Sequence, residues 1–432
     1  MREQVHWYAR TPRQPPIPLE GRINADVVVV GGGMAGLAAA EWLHDQAGRE
    51  VVLLESSFCG GGATGRSSGF ITPDSELQVS DLIRHFGADE ARRLWLAAHG
   101  ACEHIRRNVE RFGISCDLVP ADCLYLGAGR RGFAAVREEH ASRERLGFDS
   151  RLLVRRALRG VLGSDRYDAG VRYGRTFAID PYAYAQGLKT ALAARGVRIF
   201  EGTPAVTLVP GRVETPHGAV SARHLVVCLD RFARELGVSR DTWHAQTFVI
   251  ASEPLDRKLQ DRVFPDGPVL AWDTDLIYQY FRLTGDGRLL IGGGTLRETY
   301  ARARTDSGTP GRLARFARKT FPALADVRFE SYWPGLIGVT RDLLPLAGAN
   351  PQRPDQILAA CAAGLPWSIL AGQAAARAVA GATTDLDGRF SPARHFELAG
   401  LGAILPLPLS FAVSHLYNKL AGRKPETVAK PR

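Results

Sequence analysis

The residues best suited to chemistry stand near the N-terminus, where Gly31-Gly32-Gly33-Met34-Ala35-Gly36 follows the four valines of Asp26–Val30. A valine run reads as a strand buried on both faces of a parallel sheet. Met34–Gln46 then spaces Leu37, Ala40 and Leu43 as a helix does, with Gly48 as its stop. Val51–Leu54 is a second strand, ending on Glu55, 19 residues past Gly36. In this unit Gly31 permits the tight turn, Gly33 lets the backbone approach a pyrophosphate, and Gly36 lets helix pack on strand. The helix N-terminus, with Met34 and Ala35 in its first turn, offers amides and positive dipole to the anion. Glu55 is placed to accept from a ribose diol and disfavours a 2′-phosphate, hence NADP. NAD and FAD satisfy the unit equally.

A second glycine cluster, Cys59-Gly-Gly-Gly62-Ala63-Thr64-Gly65-Arg66-Ser67-Ser68-Gly69-Phe70, follows the second strand directly. It starts at the pyrophosphate end and runs toward the far end of the cofactor. Thr64, Arg66, Ser67 and Ser68 supply donors for phosphate or ribityl oxygens, while small residues allow close backbone approach. The bland reading of the same stretch is a surface loop.

The bulk composition is that of a globular protein: 432 residues, 45% hydrophobic and 23% charged, with no repeat or heptad series. That length predicts two packed domains. The net charge of +10 is scattered without an aromatic-interleaved basic patch, so no nucleic acid partner is expected. Six isolated cysteines with no metal-ligand spacing, and a polar, Pro-rich Met1–Glu20, predict a reducing cytoplasmic setting and no metal site.

Taken together, Gly31–Gly36 and Gly62-Ala63-Thr64-Gly65-Arg66-Ser67-Ser68-Gly69 resemble the D-amino-acid oxidase-like superfamily of flavoenzymes, within it the gamma-glutamylputrescine oxidase branch. Ile179-Asp180-Pro181, Tyr280-Phe281-Arg282, Asp286–Gly293, Trp333-x-Gly335 and Thr340-x-Asp342-x-x-Pro345-x-x-Gly348 extend the resemblance in order along the chain. It implies an α/β, two-domain architecture in which a Rossmann-like FAD-binding domain interleaves with an antiparallel-sheet substrate domain. The expected boundaries are 24–75, 150–235 and 330–395 for the first, 76–149 and 236–329 for the second, and 396–432 as a C-terminal segment. Val206–Leu208, Arg212–Thr215 and Leu225–Cys228 are expected as strands of the FAD domain; Phe248–Ala251, Leu276–Leu283 and Arg288–Gly292 belong to the other sheet.

The same resemblance implies FAD contacts at Val206 and Gly335, and at Gly364, Leu365, Pro366 and Trp367, where a helix begins toward the flavin. Many relatives have a longer loop there, about G-x-S-G-H-G. Non-covalent FAD is expected, since relatives that attach it through histidine carry that residue where this chain has Arg66-Ser67-Ser68. The chemistry implied is oxidation of a C–N bond by hydride transfer to flavin, with dioxygen or a quinone-type carrier as acceptor. Amino-acid oxidases of the superfamily clamp the substrate carboxylate with an arginine in a G-[LF]-R-P pattern, whereas this chain reads Gly335-Leu336-Ile337-Gly338. That favours an amine with its carboxylate remote or absent; Arg282 and Arg341 are the other available clamps.

Alternation puts Tyr278, Tyr280 and Arg282 on one strand face, either as an aromatic wall with an anchoring cation or as an ordinary solvent face. Tyr280, Arg282 and His244 are the candidate catalytic residues. A glycine or secondary amino-acid oxidase, and a flavin-binding subunit without turnover, are the alternatives. Residues 398–418 carry no formal charge and precede a basic tail, which reads as docking on the protein or as a shallow membrane contact.

Overall fold

The valine run decides the centre of the molecule. In the computed structural model, which describes residues 1–74, 76–233, 242–275, 277–294 and 308–394, Val27, Val28 and Val29 are all but fully buried. Gly21–Val30 lies between Val51–Leu54 and Gly218–Val227, parallel to both, and Arg198–Phe200 extends the parallel sheet beyond Val51–Leu54. Gly218–Val227 is shared: its first half pairs antiparallel with Arg212–Thr215, its second half parallel with Arg353–Ala360. Strands buried on both faces need covering layers. The helix Met34–Asp45 supplies one, with Leu37, Ala40 and Leu43 fully buried as their spacing predicts. Leu365–Ala380 crosses it so closely that a Cβ on Gly372 would stand 2.1 Å from the Ala35 carbonyl.

The second sheet has nine strands, in the order Arg2–Glu3, Phe329–Thr340, Thr242–Pro254, Arg288–Gly293, Tyr280–Leu283, Val269–Asp273, Asp122–Gly127, Ala169–Tyr173 and Arg151–Val154. Its neighbours are antiparallel except at Arg2–Glu3 beside Phe329–Thr340 and Val269–Asp273 beside Asp122–Gly127. Phe248, Ile250, Phe281, Leu289 and Ile291 alternate onto one face and form a core of their own. Between the two sheets, a three-stranded ribbon pairs Phe70–Ile71 and Val119–Pro120 with Phe177–Ala178. The end of the second glycine cluster is thereby tied to the molecule's centre.

Sheet membership corrects the expected boundaries. Arg151–Val154, Ala169–Tyr173 and Phe329–Thr340 belong to the nine-stranded sheet, although 150–235 and 330–395 were expected to follow the FAD domain. Conversely, Ala88–Phe112, expected with the second domain, packs on Leu365–Ala380 and Pro181–Ala194 of the first, while its Trp95 also meets Tyr173 of the nine-stranded sheet. The stripe Ala91, Leu94, Trp95, Ala98, Ala101, Cys102 and Ile105 announces a helix, but period alone cannot say which layer covers it.

Candidate active site

The first glycine loop closes a tight cradle. A Cβ on Gly31, whose φ is +107°, would stand 2.2 Å from the Cys228 carbonyl, and one on Gly36 would stand 1.8 Å from the carbonyl of Gly31. Only hydrogen fits at either place. Leu37 is the first residue whose amide closes onto the loop, at Gly33 O, so the earlier amides face out of the helix end. Met34 N donates to Thr64 Oγ1 at 3.0 Å, which joins the two glycine clusters at the helix N-terminus. Glu55 accepts from Gly32 N through one oxygen and from Ser56 and Ser57 through the other, and stays half-buried with lone pairs to spare.

The second cluster is held from behind. Four successive carbonyls each meet a donor: Arg66 O takes Trp333 Nε1 at 2.8 Å, Ser67 O takes Trp7 Nε1 at 2.9 Å, Ser68 O takes Arg282 Nε at 2.5 Å, and Gly69 O takes Ile179 N at 3.0 Å. Tyr8 Oη donates to Gly61 O at 2.9 Å. Arg66 itself reaches Pro334 O. With its carbonyls bound on one side, the loop leaves Gly62, Ala63, Ser67 and Ser68 partly open on the other. Thr64 is buried and its hydroxyl accepts from Met34 N, so it shapes the helix end while keeping its own O–H as a donor.

The third wall is the helix Leu365–Ala380. Gly364 is its N-cap, Pro366 falls in its first turn, and no side chain caps it, which leaves the positive helix end for a ligand. Leu365 and Trp367 are buried, and Trp367 Nε1 donates to Pro73 O at 3.0 Å, filling the space beneath the shortened loop and tying it to residues 70–74. Opposite, Tyr280 and Arg282 share the face that alternation assigns them. Tyr280 is half-buried, its ring 5.8 Å from Tyr278 and 5.9 Å from Phe70. A hydrogen bond with Thr247 opposes the burial that pushes its phenol up to about 12. Thr247 is in register with Gly335 on the neighbouring strand.

The expectation for Arg282 is corrected. Its side chain is 1% exposed and its nitrogens donate to Ser68 O, Ile179 O and Leu283 O. An arginine so committed frames the loop and is not a clamp for a substrate anion. Ile337 lies half-buried against Ala245 and Val339, and Arg341 leaves the same strand half-buried. Val206 is exposed at the outermost hairpin of the first sheet, with its amide bound to Glu214 O. His244 pairs in register with Gly338, and its side chain lies outside the description, as do residues 398–418. Among the described residues no helix is long and apolar enough to cross a membrane.

These walls fit an extended dinucleotide. Two positions where a Cβ would strike backbone, an uncapped helix start and a carboxylate at the end of the second strand match pyrophosphate, flavin and ribose in turn. A profile of the FAD dependent oxidoreductase family matches residues 26–378. The chain belongs to that family. Gamma-glutamylputrescine oxidoreductase of Escherichia coli is 30% identical over 94% of each chain. A probable oxidoreductase, OrdL, of Haemophilus influenzae is 30% identical over 77% of each. Among solved structures, glycine oxidase from Geobacillus kaustophilus has this fold at a TM-score of 0.72, 20% identity, and 86% of this chain against 99% of that one. L-proline dehydrogenase from P. horikoshii gives 0.72 at 17% identity, over 87% and 98%. FAD is therefore the cofactor, and the chain is an FAD-dependent oxidoreductase.

Sequence reasoning missed Trp7, Tyr8, Glu76 and Thr247. Trp333 was legible as part of Trp333-x-Gly335, though not as a donor to the second glycine cluster. Trp7 and Tyr8 lie ahead of the matched span and reach the loop only through the fold.

Proposed function

We propose that this protein oxidises a C–N bond of an amine whose carboxylate is remote or absent. The observation that carries the reading is at the position of the superfamily's arginine clamp, where Ile337 stands half-buried against Ala245 and Val339 while Arg282 is spent on three carbonyls. An isoleucine offers an amino-acid carboxylate no donor. The name of the Escherichia coli relative, a gamma-glutamylputrescine oxidoreductase, points the same way. Bound FAD supplies the hydride acceptor for the carbon next to nitrogen.

The chain's own residues bind, orient and exclude water. Gly31, Gly33, Met34, Ala35 and Gly36 would receive the pyrophosphate, with Glu55 on a ribose and Val206 at the outer end. Gly62, Ala63, Thr64, Arg66, Ser67, Ser68 and Gly335 would line the path to the flavin, and Gly364, Leu365, Pro366 and Trp367 its other side. Tyr280, buttressed by Thr247, would form the substrate wall. FAD is held without a covalent bond. Cys59, the nearest thiol in sequence, is fully buried, and desolvation with the charges of Glu201 and Glu55 raises its pKa well above the usual value, against thiolate formation. All six cysteines are free, which supports a reducing, cytoplasmic setting.

The test is a comparison of kcat/KM for acylated diamines and simple alkyl amines against glycine, sarcosine and proline. Preference for the first group by about tenfold or more is expected, since a missing bidentate clamp is worth that much. Preference for glycine or sarcosine would assign the clamp to another residue and restore the amino-acid reading. Peroxide formed in air, or dye reduced in its absence, then identifies the acceptor.

A further inference from the structure

Buried carboxylates among the described residues have either a cationic partner or, as at Asp180 and Asp273, backbone amides to accept from. Glu41 meets His104, Glu90 meets Arg93 and Arg389, Glu201 meets Lys189, Asp342 meets Arg394, and Asp387 meets Arg377. Burying a carboxylate without one is costly. Glu76, half-buried, has neither. Its one hydrogen-bond partner among the described residues is the phenol of Tyr278, at 3.1 Å, and no lysine, arginine or histidine there lies within ion-pair reach. Burial raises its pKa above the ordinary glutamate value, and the Tyr278 bond only partly opposes this.

Its surroundings are equally specific. Tyr278, Tyr280, Phe70 and Trp272 form a continuous aromatic wall, with successive ring centroids 5.8, 5.9 and 6.3 Å apart. Glu76, Tyr278, Tyr280 and Phe70 are half-buried, whereas Thr72, Pro73 and Asp74 between them are buried. These four side chains are therefore contiguous, and each keeps part of its surface exposed. They stand where the second glycine cluster ends at Phe70, and the segment that leads from it to Glu76 is bound to the helix at Leu365 through Trp367 Nε1 and Pro73 O. Aromatic faces and an uncompensated carboxylate are the surroundings that receive a desolvated ammonium.

We propose that Glu76, walled by Tyr278, Tyr280 and Phe70, is the site that receives the ammonium group of a cationic substrate. This inference rests on the amine-oxidising reading and gives it a substrate class: primary aliphatic amines, received as cations and discriminated from neutral molecules of the same shape, with Glu76 placed to take the proton that leaves nitrogen before the neighbouring carbon can give up a hydride. The ammonium supplies the counter-charge that the protein itself does not provide for Glu76, and Tyr278 fixes the carboxylate's orientation through its hydroxyl. The specificity lies in the charge.

The probe is tert-butylammonium, which has no hydrogen on the carbon next to nitrogen and so cannot be oxidised there; tert-butanol is its neutral counterpart. Binding of each to the FAD-loaded full chain is measured by calorimetry. The wild-type protein is expected to prefer the cation by about tenfold or more, the worth of a hydrogen bond to a charged group. Glu76→Gln should erase that preference while the affinity for tert-butanol and the FAD content stay as they were, and Glu76→Asp, which keeps the charge, should restore part of it. Equal affinity of the wild-type protein for the two probes overturns the site without any variant. A cation preference that survives Glu76→Gln overturns it as well. Flavin bleaching by amines is read separately: bleaching without a cation preference removes the Glu76 site and keeps the oxidation, while a preference without bleaching removes the oxidation and keeps the site.

Discussion

Arg282→Met separates two accounts of the same residue. On the strand-face argument alone Arg282 is an anchor for substrate; in the fold it is a clamp on the second glycine cluster. Its bonds to Ser68 O at 2.5 Å, Ile179 O at 2.7 Å and Leu283 O at 2.9 Å are made by a side chain that is 1% exposed. Methionine has nearly the same length and no donors. Each carbonyl stranded in the interior costs about 1–3 kcal/mol. Against this, the variant no longer desolvates a guanidinium, which burial disfavours and the charges of Asp180, Asp117 and Asp286 only partly support. The first effect wins, because the hole cannot close around three carbonyls aimed at one point. A net loss of about 3–5 kcal/mol is expected. If about 1.4 kcal/mol of it falls on the 66–69 loop, FAD affinity drops about tenfold. The assays are chemical denaturation, FAD titration of the apoprotein, and the amine KM at saturating FAD. Stability and FAD affinity should fall together while KM moves less than about threefold, within uniform-binding effects. A KM raised tenfold, with stability and FAD affinity intact, would refute the reasoning and return Arg282 to the substrate.

Two further outcomes follow from the geometry. Gly36→Ala places a Cβ 1.8 Å from a backbone carbonyl that cannot yield, so the purified variant should be colourless and should not take up added FAD; a yellow protein would contradict the cradle. Asp286→Asn tests the N-terminal segment. Burial works to raise the Asp286 pKa, but hydrogen bonds from His6 and Thr284 and the charges of His6 and Arg10 hold it well below the usual carboxylate range. A depressed native pKa contributes stability that is complete above the unfolded value of 3.8 and is lost as pH falls through the native one. The variant should be less stable by about 0.5–1 kcal/mol at neutral pH, after solvent screening. That gap should close in acid; a gap of constant size from neutral to acid would show that charge is not the cause.

The parts legible in the sequence are those where local chemistry has one solution. A valine run, glycines where only hydrogen fits and an acid at the end of the next strand can hardly be combined in another way, and the first sheet follows from them. Arg212–Thr215 and Arg288–Gly293 were readable for a similar reason, since alternation and turn glycines are local signals. Arg282 shows where such reasoning stops. Period 2 gave its face, but the Ser68 and Ile179 carbonyls that consume it are 214 and 103 residues away. Trp7 likewise reaches Ser67 because Arg2 and Glu3 pair with Ser331 and Tyr332, a register that no local pattern encodes. Glu76 stood unremarked in a loop without period, and only the fold shows it among Tyr278, Tyr280 and Phe70 with neither a cation nor a backbone amide to meet it. The layer to which Ala88–Phe112 belongs was hidden for the same reason: an apolar stripe names no partner.

The central claim is that this chain holds FAD and passes a hydride from an amine to it. The direct measurement is the absorbance of the purified protein, mixed without oxygen with an acylated diamine. Full loss of the oxidised-flavin bands, with one amine oxidised per FAD, is the predicted result. A protein that binds FAD but keeps those bands through every amine and amino acid tested would contradict it.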